Sequence, residues 1–97
     1  MNQRKALEIL TSSAETLKAR FGVVGLSLFG STARDEASEE SDVDLLVSFS
    51  GQATSKQYFG VQFYLEDLMG ADIDLVTVKA LRPELKPYVL SEKIDVI

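Results

Sequence analysis

Three short apolar runs, Val23–Phe29, Asp42–Phe49 and Ala71–Val78, alternate with stretches of helical periodicity, and this restricts the fold more than any other feature of the chain. A run of that length bounded by glycine, as VVGLSLF is by Gly22 and Gly30, reads as a buried strand. Ahead of it, Leu7, Leu10, Ala14, Leu17 and Phe21 recur every three or four residues. This spacing predicts an amphipathic helix over Gln3–Arg20, stopped by Gly22. A second helix is expected over Lys56–Met69, closing at Gly70. Its face carries Tyr58, Val61, Leu65 and Leu68, widened by Phe59 and Phe63, and its aromatic residues are expected to fill the core. After the first strand, GSTARDEA predicts a turn into a short helix capped by Ser31 or Thr32. Arg82–Pro83 opens a last helical segment, and the terminal DVI suits a short edge strand. The predicted class is α/β (α+β): a small mixed β-sheet flanked by helices in two or three layers.

Ninety-seven residues suit one domain over positions 1–97 with a single core. A content of 45% hydrophobic and 26% charged residues argues against disorder. No apolar run approaches the roughly 20 residues of a membrane helix. The opening MNQRKALEIL lacks the apolar stretch of a signal peptide, so a cytoplasmic location is expected. The chain has neither cysteine nor histidine. That excludes disulfides and thiolate metal sites, and it removes the commonest general base, leaving carboxylates to bind metal. The net charge is −5, and ten of the fifteen acids fall between Asp35 and Asp74, where Lys56 is the only base. Such a surface repels a phosphate backbone, so direct nucleic-acid binding is not expected.

Two aspartate pairs lead into the second and third apolar runs. Residues two apart in a strand share a face, roughly 6.5–7 Å apart. Asp42 and Asp44 therefore project together, as do Asp72 and Asp74. Carboxylates at the head of apolar strands are costly unless paired or bound to a cation. Either each pair merely begins a strand at a solvated loop, or adjacent strands gather the carboxylates around a hard divalent ion such as magnesium.

The segment Phe29–Arg34 adds a second constellation. A strand that ends in glycine and turns directly into a helix presents free N–H groups and a positive helix end to an anion. Gly30 would let a phosphate come close, and the Ser31 hydroxyl would add a hydrogen bond. The spacing and lysine of a Walker A loop are missing. Arg34 is placed either to reach a phosphate or to pair with Asp35 and Glu36, and the sequence leaves both readings open.

Taken together, Gly30-Ser31-x-x-Arg34, seven residues, Asp42-x-Asp44-Leu45 and a later Asp74-Leu75-Val76 resemble the DNA-polymerase-β-like nucleotidyltransferase superfamily. The resemblance is to its minimal nucleotidyltransferases, antitoxins paired with toxins of the HEPN class, and covers Gly22–Ile97. It implies a polymerase-β-like palm. It also implies that Gly30 and Ser31, with Arg34 beside them, hold a nucleotide triphosphate, and that Asp42, Asp44 and Asp74 are catalytic and bind metal. Asp72 lies outside the motif. The implied reaction moves a nucleoside monophosphate, AMP from ATP, to an acceptor hydroxyl. Two Mg²⁺ ions (with Mn²⁺ as a substitute) about 3.5–4 Å apart would stabilise the attacking and leaving oxygens. With no histidine present, Asp74 is the proton acceptor this site offers. The implied partner is a HEPN-type toxin, and a second copy of the chain is another candidate to present the acceptor. The alternative is a non-catalytic antitoxin that senses nucleotide and blocks its partner sterically.

Overall fold

The computed structural model describes all 97 residues. Helix α1 (Gln3–Phe21) begins where the Asn2 side chain accepts the Lys5 N–H at 2.8 Å. It ends at Gly22, whose φ of 71° lies in the left-handed region that glycine enters without penalty. Its buried residues are Ala6, Leu10, Ser13 and Leu17, so the inward stripe is turned slightly from the one the apolar periodicity predicts. Leu7 and Phe21 pack at its margin. Ser13 is tolerated inside because its hydroxyl donates to the Ile9 carbonyl at 2.8 Å.

Strand β1 (Val23–Phe29) has the predicted bounds and runs directly into α2 (Gly30–Ala33). Strand β2 (Val43–Phe49), helix α3 (Ser55–Met69) and strand β3 (Ile73–Thr77) follow. A 3₁₀ turn (Val78–Ala80), helix α4 (Lys86–Glu92) and strand β4 (Ile94–Asp95) complete the chain. The four-stranded sheet has the order β3-β2-β1-β4. β2 and β3 are parallel, joined by α3, while β1 pairs antiparallel with both β2 and β4. The mixed sheet and its flanking helices agree with the predicted class. No helix is long and apolar enough to cross a membrane.

Strand alternation divides the sheet into two faces. Val43, Leu45, Val47 and Phe49 of β2 point with Leu26, Leu28, Ile73 and Leu75 into the main core, under α1 and α3. The opposite face carries a smaller cluster of Leu46, Leu81 and Val89, where α4 packs. This second, smaller layer leaves Asp44 half-buried and Asp74 exposed.

Helix α3 starts with a capping box that the sequence reading missed: Thr54 accepts the Gln57 N–H, and Gln57 accepts the Thr54 N–H. Its buried residues are Val61, Leu65 and Met69. The expectation that its aromatics fill the core holds in part for Tyr58 and Tyr64, which pack at the core's margin, and is corrected for the two phenylalanines. Phe59 and Phe63 are 49% and 63% exposed, and Leu68 is also exposed. The reason lies at the free edge of β3. Tyr58 donates its hydroxyl to the Leu75 carbonyl, Gln62 donates to the Ile73 carbonyl, and Glu66 accepts the Ile73 N–H. These three residues, four apart, form one row along α3. Turning that row toward the strand satisfies the edge backbone, and it swings Phe59 and Phe63 outward.

This orientation predicts opposite outcomes for neighbouring apolar residues. Leu65→Ala should cost about 2–5 kcal/mol in urea unfolding, whereas Phe63→Ser should change stability by less than about 0.5 kcal/mol. Comparable losses for both would mean that Phe63 is a core residue after all.

Candidate active site

The register of β2 against β3 pairs Asp44 with Asp74, and that of β1 against β2 pairs Phe29 with Asp44. Both carboxylates rise from the face opposite the main core, on strands about 4.8 Å apart. Asp42 lies immediately before β2, two residues from Asp44, and its charge reaches the Asp44 carboxyl. Asp42 and Asp72 line a hollow of about 210 Å³ with Glu39, Glu40 and Gly70. The backbone carbonyl of Asp72 accepts the Val43 N–H at 2.9 Å, which fixes the strand starts side by side. The four aspartates thus gather at one end of the parallel pair. No three acidic side chains converge closely enough to enclose a cation as they stand. A larger hollow of about 490 Å³ lies at the other end of β2, between Val47–Phe49 and Thr77–Lys79, but it contains no carboxylate. The chemistry-bearing groups, not cavity size, locate the site.

Asp44 is the perturbed member of the group. Burial pushes its carboxyl up from 3.8 to about 6, reinforced by the charge of Asp74, a hydrogen bond with Asp74 and the charge of Asp42. Only the nearby positive charge of Arg34 opposes the rise.

Gly30 makes room for this arrangement. Its φ is +75°, and a Cβ added there would lie 2.0 Å from Asp44 Oδ2. Any side chain at position 30 would therefore collide with the carboxylate as well as strain the backbone. The space above Gly30, which the sequence reading reserved for a phosphate, is bordered by Asp44 itself.

The predicted cap is corrected too. Ser31 and Thr32 lie inside α2 rather than before it, the N-cap is Phe29, and no side chain of the turn caps the helix. β1 enters α2 without an intervening residue, so no serine or threonine can occupy the cap position. The Gly30 N–H instead donates to Glu92 Oε1 at 3.0 Å, from the end of α4. Arg34 donates to Glu92 Oε2 at 2.8 Å through Nη1 and to Glu36 Oε2 at 3.1 Å through Nε. Of the two roles open to Arg34, the structure displays acid pairing, with Glu92 added to the local partner Glu36. Glu92 escaped the sequence reading because it lies 62 residues from Gly30. One signal was available: an acid in the last turn of a helix opposes the macrodipole and needs a partner elsewhere.

The raised pKa of Asp44 sets a pH dependence. A carboxyl that binds its proton more tightly in the folded chain adds stability at low pH, and this stability is lost as pH rises from about 4 through about 6. In chelator, Asp44→Asn should flatten that part of the stability–pH curve and melt above the parent at pH 7. The gain should be of order 1 kcal/mol, after allowance for solvent screening of a half-exposed group. Comparing the two curves cancels the opposite contribution of Asp95, whose carboxyl Lys93 and Ser27 hold low. A large loss of stability in Asp44→Asn would identify Asp44 as a structural hydrogen-bonding residue.

Comparison with known proteins fits this geometry. A family profile described as nucleotidyltransferase domain matches residues 10–96. Protein adenylyltransferase MntA of Thermococcus cleftensis is 40% identical over 88 residues, covering 91% of this chain and 89% of that protein. A solved structure provisionally described as a minimal nucleotidyltransferase superposes with a TM-score of 0.81 at 38% identity, covering 97% and 95% of the two chains. A more distant match, with a TM-score of 0.69 at 16% identity, comes from a complex of a tri-AMPylated Shewanella oneidensis HEPN toxin with an MNT antitoxin; it covers 98% of this chain and 71% of that one, and at this identity bears on the fold alone. With its fold, its aspartate register and its glycine turn all in place, the chain belongs to the nucleotidyltransferase-domain family, among the minimal nucleotidyltransferases.

Proposed function

We propose that this chain is a magnesium-dependent protein adenylyltransferase that transfers AMP from ATP to a hydroxyl of a HEPN-type toxin and thereby acts as its antitoxin in the cytoplasm. The observation that carries the reading is the Asp44–Asp74 register pair beside the Gly30 turn. The name of the Thermococcus cleftensis relative, a protein adenylyltransferase, supports AMP as the group transferred and a protein as its acceptor.

The residues fit a hard divalent cation. The donors are all carboxylate oxygens, and Asp44 is half-buried with Asp42 and Asp74 as its principal charged neighbours, an arrangement a cation relieves. Asp42, Asp44 and Asp74 would hold it, and magnesium when bound supplies charge stabilisation for phosphate oxygens. The Ser31 hydroxyl and the turn at Gly30 orient the triphosphate, with Arg34 as the cation beside it. The acceptor oxygen then forms its bond to the α-phosphorus in line with the breaking bond to the β-phosphate oxygen. Pyrophosphate leaves, and Asp74 takes the hydroxyl proton.

Calorimetry should show ATP binding that needs Mg²⁺ or Mn²⁺ and vanishes in chelator, because Asp42 and Asp44 repel the bare triphosphate. Equal affinity with and without the ion would remove metal from the mechanism.

A second measurement separates transfer from steric blockade. Incubated with ATP, Mg²⁺ and a HEPN-type toxin as partner, the chain should add AMP to the toxin by intact mass. The Asp42→Ala, Asp44→Ala double variant should still fold and bind the toxin, yet add no mass and fail to rescue growth. Full rescue without added mass would replace the enzyme by a steric antitoxin.

A further inference from the structure

The Glu92 carboxylate occupies the donors that the proposed function gives to a phosphate. Its two oxygens accept from the Gly30 N–H and from Arg34 Nη1 at 3.0 and 2.8 Å. To such donors a carboxylate and a phosphate present the same thing, a pair of anionic oxygens that a guanidinium meets in forked geometry. Glu92 does not hold this position for the sake of its own helix. It is the last residue of α4, where the helix dipole disfavours negative charge. Its side chain is 25% exposed, so water only partly screens the pair with Arg34. Arg34 is the only base between Arg20 and Lys56, and Glu92 and Glu36 together occupy it.

We propose that Glu92 is an internal competitor for the nucleotide: the triphosphate displaces it from Gly30 and Arg34, and Glu92 returns when the phosphates leave. This rests on the reading of Gly30–Arg34 as a phosphate cradle. The displaced carboxylate cannot go far. Two residues on, β4 is pinned to β1 through Ile94–Leu28 and Asp95–Ser27, with the Ser27 hydroxyl donating to Asp95 at 2.6 Å. A tethered competitor acts at high effective concentration, so it weakens nucleotide binding without abolishing it and favours release of pyrophosphate.

Titration of the full chain, Glu92→Ala, Glu92→Gln and a Ser31→Ala control with ATP and with inorganic tripolyphosphate, each with Mg²⁺, tests this. Glu92→Ala should bind both ligands about tenfold more tightly. Glu92→Gln, which keeps an acceptor for Gly30 but loses the charge facing Arg34, should gain less. The Gly30 amide resonance should move when the parent takes up tripolyphosphate, and Glu92→Ala should start from a different apo position. Equal or weaker binding by a folded Glu92→Ala overturns the proposal and makes Glu92 a strut between α4 and α2. Should the alanine variant fail to fold, Glu92→Gln decides: tighter binding supports the proposal, equal or weaker binding overturns it. A separate result defeats the cradle reading beneath it: ligand binding that neither moves the Gly30 amide nor weakens in Ser31→Ala.

Discussion

The parallel register of β2 and β3 is the constraint on which the rest of the site depends. It sets Asp44 directly across from Asp74, and a parallel pair can be connected only by a crossover. α3 is that crossover. Lying on the apolar face, it buries Val61 and Leu65 and leaves the other face to the carboxylates. The cost of bringing two acids together shows in Asp44, whose proton affinity rises, and in Gly30, where nothing larger than hydrogen fits beside Oδ2. A turn that only glycine can make and a destabilised carboxylate at one spot are what a functional site looks like when the remainder of the chain is locally consistent.

Much of this was legible in the residues. The strand Val23–Phe29 has the predicted bounds, because its ends are set by glycines and its middle by burial on the core side. The aspartate pairs were readable because strand alternation is a strict period of two. Once Asp42 and Asp44 stand at the head of one strand and Asp72 and Asp74 at the head of another, only the pairing of those strands has to be learned. The α/β order restricted it to few choices, and the structure supplies the neighbour relation.

What stayed hidden depends on partners distant in sequence. The facing of α3 follows from hydrogen bonds to the open edge of β3, and no helical periodicity reports where an edge lies. Apolar counting alone therefore turned Phe59 and Phe63 inward. The cap of α2 was misplaced for a related reason: Ser31 has the right chemistry, but a strand that enters the helix without a linking residue leaves it two positions past the cap at Phe29. Glu92 is the extreme case, a side chain defined by a neighbour on the far side of the fold.

The row of Tyr58, Gln62 and Glu66 along β3 also limits how the sheet can be enlarged. Exposed edge strands template the addition of further strands from other chains, and here one edge is closed by side chains of the chain itself. At the other edge, β4 contributes only Ile94 and Asp95. Fibre-like stacking, which needs both edges free, is thus blocked from one side. Any strand donated by another polypeptide has to enter beside β4, leaving the aspartate-bearing strands with fixed neighbours whatever the chain assembles with.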